Sequence, residues 1–547
     1  MRVLIIGAVA AGTSAAAKAR RNDESADIVI YEKDKDISYS GCGMPYYLGG
    51  EVKDIAQLTP RDAAFFKNKY NVDVLTRHEV LSIHTGNKQI VVKNLETQDV
   101  MADTYDKLVL ATGAVAAVPP IKGIAQKHVF TLRSIADTRR IKAFIDESKP
   151  QRAAIIGSGY IGLEVCENLR HIGMDVTLIE KMQQVAPRLD SDMAEYVKKY
   201  LKDKGVPVIT GADVKEISSR AVIFSGGQAV EADMVLVCTG VRPNVSLAKE
   251  AGILLGETGA ISVDRFMRTN MKDIYACGDC AEQLQLVTGK PVYCPLGSTA
   301  NKTGRITGDV ITGGGLEFQG ILGTGIFRIF DMCVAHTGLS ESEAVAEGFD
   351  IAISHNIKPN RPEYLGGKEM VIKTVADKAT GRLLGAQIVG YDGVDKRIDV
   401  FATAITFGAK AKDLPHLDLA YAPPYSTTKD PVIYSGMILE NAISRGRPLM
   451  DAKALDALMR SGREYTLIDA RETEQYSDAH IESAKSIPHA QLRKSTDKLN
   501  KDAVAVTYCN KGVTGNAAQN ILLAQGFKEV YNLSGGHKHY KTVKNSD

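Results

Sequence analysis

Within the stretch SYSGCGMPYYLGG, residues 38–50, Cys42 stands among glycines and tyrosines. A thiol there is either a redox nucleophile or a small side chain in a tight turn. Deprotonated, it attacks a disulfide or a persulfide, expels one thiol or hydrosulfide and holds the other half as a mixed disulfide. Fast attack near pH 7 requires a pKa below the free-thiol value of about 8.5, and a helix N-terminus is one source of that lowering. A second candidate is Cys509, which closes the apolar run AVAVTYC and opens the loop CNKGVTG ahead of a helix-forming stretch. Loop N–H groups turned toward that sulfur favour an anionic persulfide. Cys277 and Cys280 are spaced C-x-x-C, but both fall at the end of an apolar strand and no second ligand pair follows, so they read as packing residues rather than a metal site.

The elements that must position Cys42 are nucleotide-binding ones. RVLIIG is a strand rich in branched residues, AVAAGTSAAAKARR has helix composition, and ADIVIYE is a second strand ending at Glu32: a βαβ unit. Gly7 and Gly12 take the first and last positions of the glycine fingerprint and Val9 takes the middle one. In such a turn the helix N-terminus faces a pyrophosphate and Glu32 accepts from a ribose hydroxyl. A complete copy follows in AAIIGSGYIGLEVCENLRHIGMDVTLIEK, with Gly157, Gly159 and Gly162 after a strand and Glu180 closing the next. That carboxylate favours NADH over NADPH, because it bonds a 2′-hydroxyl and repels a 2′-phosphate; Lys181 beside it keeps the preference modest. YDKLVLATGA and ADMVLVCTGVRPN supply closing strands, and TNMKDIYACGDCAE sets Asp279 at a strand end where a carboxylate can bond ribityl hydroxyls.

The ordered series GAVAAG, ATG, GSGYIG, CTG, YACGD resembles the flavoprotein disulfide reductases with two dinucleotide-binding units, over roughly residues 1 to 445. The resemblance implies FAD on Gly7, Val9, Ala10, Ala11, Gly12, Glu32, Lys33, Ser38, Val80, Ala111, Thr112, Gly113, Arg133, Gly278 and Asp279. It implies a nicotinamide nucleotide, NADH or NADPH, on Gly157, Gly159, Tyr160, Ile161, Glu164, Glu180 and Gly240, with Glu164 orienting the nicotinamide. Dithiol members of that family carry C-x-x-x-x-C; here positions 37 and 47 are Ile and Tyr, so Cys42 has no neighbouring partner. Ser38 and Cys42 as S-x-x-x-C resemble the single-cysteine branch, above all the coenzyme A disulfide reductases. RPEYLGG and LDLAYAPPYSTTKDP resemble that branch's dimerisation domain, which implies a homodimer whose Tyr364 and Tyr421 serve the other subunit's site, with Tyr425 a nearby rival. The resemblance further implies coenzyme A phosphates on Arg20, Arg61, Ser38, Asn301, Lys302 and Arg305.

The tail YTLIDARETEQYSDAHIESAKSIPHAQL, with the Cys509 loop and SGGHKHY, resembles a rhodanese domain. It departs from that family at Thr514, where the active loop usually has Arg, and at His537, where an aromatic residue is usual; Lys511 is a partial replacement for the lost guanidinium. The expected fold class is α/β: two Rossmann-like dinucleotide-binding domains (FAD, 1–112 and 241–320; NAD(P)H, 113–240), an α+β dimerisation domain (321–445), a linker (446–458) and an α/β rhodanese domain (459–547).

The rest of the 547 residues is consistent with several compact units at roughly 100 to 200 residues each. A net charge of +2 and no basic stripe argue against nucleic acid, and no segment reads as a membrane span. The opening MRVLIIGAVAAGTSAAAKARR has the composition of a secretory leader, but the βαβ reading accounts for it, and eight scattered cysteines point to reduced thiols in a cytoplasm. The expected activity is NAD(P)H-dependent, FAD-dependent reduction of coenzyme A disulfide, coenzyme A persulfide or polysulfide through a mixed disulfide on Cys42, with sulfane sulfur carried on Cys509. Two other readings stand beside it: an NADH oxidase or peroxidase cycling a Cys42 sulfenic acid, and a tail that only docks a sulfur-donor protein.

Overall fold

The protein, seen here in a computed structural model, is described over residues 1–544. Its contacts divide it into one unit of Met1–Gln183 with Val206–Gly323 and another of Gln184–Gly205 with the chain from Thr324 onward.

The first unit is built on two parallel sheets. In one, the strand order is Ile274–Ala276, Lys107–Leu110, Arg2–Ile6, Asp27–Glu32, Asp73–Thr76. The opening residues therefore form a central strand, with Val3, Leu4 and Ile5 fully buried, as continuous apolar runs in two-sided parallel sheets require. The second sheet runs Val208–Ile209, Asp175–Ile179, Arg152–Ile156, Met234–Val237, Val129–Phe130. Because Ile274–Ala276 returns to the first sheet after Met234–Val237 has closed the second, the second nucleotide unit is inserted into the first. The two crossings, Ala114–Ala116 and Val241–Pro243, pair antiparallel. Helix Ala11–Asn22 lies against helix Gly297–Val310 so closely that a Cβ on Gly304 would stand 2.3 Å from the Ala11 carbonyl oxygen, which leaves glycine as the residue that fits.

The second unit holds an antiparallel sheet ordered Gly325–Ile329, Met332–Gly338, Leu383–Gly390, Glu369–Asp377, Ile351–Pro359, with helices Val394–Thr406 and Pro431–Ser444 packed on it. A parallel sheet follows, ordered Leu449–Met450, Val530–Leu533, Val504–Tyr508, Tyr465–Asp469, Lys485–Ser486, with one apolar cluster around Leu467, Val506 and Tyr508 and another around Ile468, Ala505 and Leu522. Two expectations are corrected. The stretch 446–458 is not a bare linker: Leu449 and Met450 pair with Asn532 and Leu533, and Asp451 caps helix Ala452–Arg460. Helix Ser191–Asp203, inside the expected NAD(P)H-binding boundaries, groups with the second unit, because Asp190 and Asp192 at its start are spent on Gln387 and Lys373 there.

That last contact is a buried charge network. Lys373 is fully buried, its ammonium 2.9 Å from Asp192, 3.2 Å from Asp190 and 2.6 Å from Glu341. Despite burial, the three carboxylates hold its pKa above the ordinary lysine range. His355 bridges Asp192 at 2.7 Å and Ser534 at 2.9 Å, and His539 stacks on it with ring centroids 4.0 Å apart. These three residues form a grouping of metal-ligand type, Asp192, His355 and His539, but the cation on Asp192 is the Lys373 ammonium.

Burial pushes the His539 pKa well below 6.5, with the His355 ring adding to the effect, and burial with Arg188 pushes that of His336 down to about 4. Both stay neutral in the folded chain while their unfolded counterparts take protons near pH 6.5. The unfolded state therefore binds more protons, and stability falls as pH drops below about 6.5, through the region down to about 4 for His336. Urea midpoints at pH 7.5 and pH 5 measure this: the expected result is a lower midpoint at pH 5.

Candidate active site

The first cradle is set by backbone proximity. Gly7 has φ +108°, and a Cβ there would stand 2.2 Å from the Ala111 carbonyl oxygen; a Cβ on Gly12 would stand 1.9 Å from that of Gly7. Those glycines bring strand, turn and helix together, whereas Val9 in the middle position is half-buried and its carbonyl accepts from Thr13. The Ala8 N–H donates to Glu32 at 2.8 Å and the Asp34 N–H to its other oxygen at 3.0 Å. The carboxylate is thereby fixed at the strand end with acceptor capacity left, and burial raises its pKa. Ala10 and Ala11 begin the helix, and Ser38, at φ +47°, donates its N–H to the Ala8 carbonyl. Asp279 accepts from Arg133 at 3.0 Å while Arg133 also donates to the Ala114 carbonyl at 3.1 Å, and the Gly278 N–H donates to Thr303. Burial raises the Asp279 pKa against the pull of Arg133. Ala111, Thr112 and Gly113 lie between the Lys107–Leu110 strand and the crossing, with Thr112 donating to the Asn244 carbonyl; Val80 is buried in the sheet of His78–His84, and Lys33 is exposed. This set of positive-φ glycine, orphan first-turn donors and fixed strand-end carboxylate fits a dinucleotide such as FAD.

The second cradle repeats the design with a difference. A Cβ on Gly157 would stand 2.4 Å from the Cys238 carbonyl oxygen and one on Gly162 2.1 Å from that of Gly157, but a Cβ on Gly159 meets nothing within 4 Å among the described residues. Glu180 accepts from the Ser158 N–H and hydroxyl, both at 2.8 Å, and from the Met182 N–H at 2.9 Å. Tyr160 and Ile161 open the helix that also carries Glu164, and Gly240 follows the closing strand at φ +94°. Gly159 therefore serves the approach of a ligand rather than the fold. Gly159→Ala is expected to leave the melting temperature unchanged and to raise the apparent KM for the pyridine nucleotide by roughly tenfold, about 1.4 kcal/mol. Gly162→Ala is expected to destabilise by about 1–3 kcal/mol through the clash. Thermal melts and initial rates on both variants check the contrast.

Cys42 lies in the turn Gly41–Gly43 ahead of helix Met44–Leu48, exposed at its surface. Around it the protein partly shuts out water, and this, with Glu164 and Asp279, pushes the thiol pKa up while Arg133 works against them. The expected lowering is thus not supplied by the polypeptide, and the five-residue helix that follows is too short to reverse it. Tyr46 donates to Glu164 at 3.3 Å, a link the sequence did not show because it joins the Cys42 turn to the second nucleotide unit. Cys277 and Cys280 are fully buried, the Cys280 S–H donating to main-chain carbonyls, and none of the eight cysteines is in a disulfide.

Of the residues expected on coenzyme A phosphates, Arg20 is corrected. It is buried, and its guanidinium donates to the carbonyls of Tyr70, Asp23, Glu24, Ala26 and Asn71, so it ties its own helix to the turn that follows and to the end of helix Ala63–Tyr70, with no donor to spare. Arg61, Asn301, Lys302 and Arg305 are exposed, with Asn301 accepting from Ser14 at 2.7 Å. Tyr364, Tyr421 and Tyr425 are exposed on the second unit.

In the parallel sheet of the second unit Cys509 follows Val504–Tyr508, is nearly buried, and leads through Gly512, at φ +94°, into helix Val513–Ala524. A Cβ on Gly536 would stand 2.3 Å from the Cys509 carbonyl oxygen, which accepts the His537 N–H at 2.8 Å. Arg471, 6% exposed, has every guanidinium nitrogen engaged: with Asp469, with the Ala479 carbonyl, with Asn510 at 3.2 Å and beside the His537 ring at 3.3 Å. Burial and that arginine drop the His537 pKa to about 4, so the ring is neutral at pH 7. Lys511, expected to stand in for the arginine missing at Thr514, is instead ion-paired to Glu369.

Two nucleotide cradles, one nested in the other, with a solitary reactive-type cysteine beside the first, define a two-dinucleotide oxidoreductase. Residues 1–290 match the pyridine nucleotide-disulphide oxidoreductase family, 326–431 its dimerisation domain and 451–542 a rhodanese-like domain. The chain belongs to the pyridine nucleotide-disulphide oxidoreductase family, with a rhodanese domain at its C-terminal end. It is 37% identical over 440 residues to a protein of Methanocaldococcus jannaschii named NADH oxidase, covering 79% of this chain and 97% of that one. It is 35% identical over 445 residues to an NAD(P)H coenzyme A polysulfide/persulfide reductase of Pyrococcus horikoshii, covering 80% and 98%. Among solved structures it is similar to reduced CoADR-RHD of Bacillus anthracis, with TM-score 0.97, 36% identity and coverage of 99% and 98%. The NAD-dependent persulfide reductase of A. fulgidus gives 0.91, 38%, 99% and 100%. Among the described residues no helix is long and apolar enough to cross a membrane.

Proposed function

We propose that this chain is an FAD-containing, NAD(P)H-dependent reductase of coenzyme A disulfide and coenzyme A persulfide or polysulfide, acting through Cys42. The observation that carries it is the solitary, exposed Cys42 between Glu164, Asp279 and Arg133, with none of the eight cysteines in a disulfide. With no resolving thiol in its own chain, Cys42 takes its second sulfur from the substrate.

FAD, held by the Gly7 turn, Glu32 and Asp279, supplies when bound the two-electron chemistry linking a nicotinamide to a disulfide. The chain's residues do the rest. Cys42 attacks R–S–S–R′ or R–S–SH; one S–S bond forms, one breaks, and a thiolate or hydrosulfide leaves. Arg133 is the positive charge that favours the Cys42 thiolate, opposing Glu164 and Asp279. Gly157, Gly159 and Gly162 would receive the pyrophosphate of the nucleotide, and Glu164, which accepts from Tyr46, would orient its nicotinamide. Arg61, Asn301, Lys302 and Arg305 offer exposed polar groups to coenzyme A phosphates, and Tyr364 and Tyr421 serve the leaving thiolate in the other subunit of a homodimer. The remaining acceptor capacity of Glu180 suits NADH. Cys509 carries sulfane sulfur received from a small or protein donor. Cysteines without a disulfide among them suit a reducing cytoplasm.

The test is intact-mass measurement of the purified enzyme before and after reductant. A reductant-sensitive, coenzyme A-sized adduct on Cys42 is the expected result; a sulfenic or unmodified Cys42 throughout favours the oxidase reading, to which the name of the Methanocaldococcus relative points.

A further inference from the structure

Beside the Cys509 loop the second unit contains a cavity of about 870 Å³ lined by six lysines, Lys198, Lys199, Lys202, Lys511, Lys538 and Lys541, against two carboxylates, Asp203 and Glu369. Asn510, next to Cys509 in the chain, and His537, whose N–H donates to the Cys509 carbonyl, are among its lining residues. Three separate pieces of chain supply the charges: helix Ser191–Asp203, strand Glu369–Asp377 and the rhodanese domain. Glu369 spends Lys511 and Lys538, and Asp203 pairs with Lys199 at 3.1 Å. Among the described residues no carboxylate pairs with Lys202 or Lys541, so the cavity keeps an excess of positive charge.

Its size and charge select the ligand. A thiosulfate-sized dianion is held by a bidentate guanidinium fork, and the guanidinium that reaches the loop at Asn510, that of Arg471, is fully engaged with protein. Ammonium groups spread around a space of nucleotide size instead match several phosphates set apart on one molecule. We propose that this cavity is a docking site for a thiol carrier bearing two or more phosphates, which presents its sulfur to Cys509. This deepens the proposed function, since coenzyme A is a carrier of that class, and it adds a binding site separate from the Cys42 one. In the step served, the carrier thiolate attacks the outer sulfur of Cys509–S–SH; a new S–S bond forms on the carrier, the bond to Cys509 breaks, and Cys509 leaves as thiolate. The carrier thiolate supplies the electron pair of the new bond and Cys509 leaves with the pair of the broken one, so no oxidant or reductant is consumed.

The full-length chain carrying Cys42→Ser is loaded on Cys509 with glutathione persulfide, and sulfur transfer is timed to coenzyme A and to pantetheine, which has the same thiol arm and no phosphate. Expected is transfer at least about tenfold faster to coenzyme A at low salt, an advantage lost in 0.5 M KCl as screening demands and lost in Lys202→Glu/Lys541→Glu, with the pantetheine rate unmoved. Equal rates for the two thiols, or a preference that survives the double substitution, overturn the proposal and leave the cavity to an acidic protein donor. Should Cys509 take up no sulfur, equilibrium dialysis of coenzyme A decides: the double variant loses one bound equivalent per chain, or the proposal falls. Because Cys42 is absent from the assay, a failure here is independent of the Cys42 reaction.

Discussion

Cys42→Ser is expected to lower NAD(P)H-dependent turnover of coenzyme A disulfide and persulfide by at least about 10³-fold, since removing the nucleophile of an interdependent site removes nearly all that the site contributes. The substitution is nearly isosteric and the side chain is exposed, so folding should be unaffected. NADH should still bleach the bound flavin in a single-turnover experiment, because neither nucleotide cradle includes position 42. This pattern, flavin reducible but sulfur substrates inert, separates loss of the nucleophile from loss of the cofactor. Unchanged turnover of every sulfur-bearing acceptor in the serine variant would falsify the Cys42 mechanism. The raised thiol pKa adds a pH signature: alkylation of Cys42 in FAD-free protein should accelerate with pH through a pKa above the ordinary thiol value, and FAD should bring the profile to lower pH if the bound cofactor supplies the missing stabilisation of the thiolate.

Lys373→Met is expected to cost about 3–5 kcal/mol, the magnitude for breaking a buried ion pair by removing one partner. Asp190, Asp192 and Glu341 would be left sharing one site without their cation, two of them close to the fully buried position. The melting temperature of the second unit should fall by roughly 10 °C. Lys142→Met, which breaks the exposed Lys142–Asp146 pair, is the control and should change stability by less than about 1 kcal/mol. Lys373→Met combined with Asp192→Asn should cost less than the two single changes added, because the residues act as one network. A loss below about 1 kcal/mol for Lys373→Met would mean that the carboxylates find water or protons at little cost.

The fold was legible wherever the signal is local. Gly7 and Gly12, or Gly157 and Gly162, announce a strand, a tight turn and a helix within a dozen residues, and the structure shows why: each is pressed on a carbonyl that leaves no space for a Cβ. The absence of a second cysteine near Cys42 is likewise a fact of the chain alone. So is the order of motifs that marks one nucleotide unit as inserted in the other.

What the tertiary structure decided depends on groups far apart in sequence. Arg20 has the charge for a phosphate, but the carbonyls of Tyr70 and Asn71 come from the C-terminal end of helix Ala63–Tyr70, which only folding brings to it. Glu164 and Asp279 raise the Cys42 thiol pKa from positions in other elements, so the direction of the shift is invisible in SYSGCGMPYYLGG. Lys511 reads as a partial replacement for a guanidinium until Glu369 arrives from another domain, and only the fold brings Lys198, Lys199 and Lys202 to the cavity beside the Cys509 loop. Periodicity and glycine spacing are set by covalent geometry and so survive in the sequence. Charge pairing and burial depend on distance in space, and only the packed chain sets those distances.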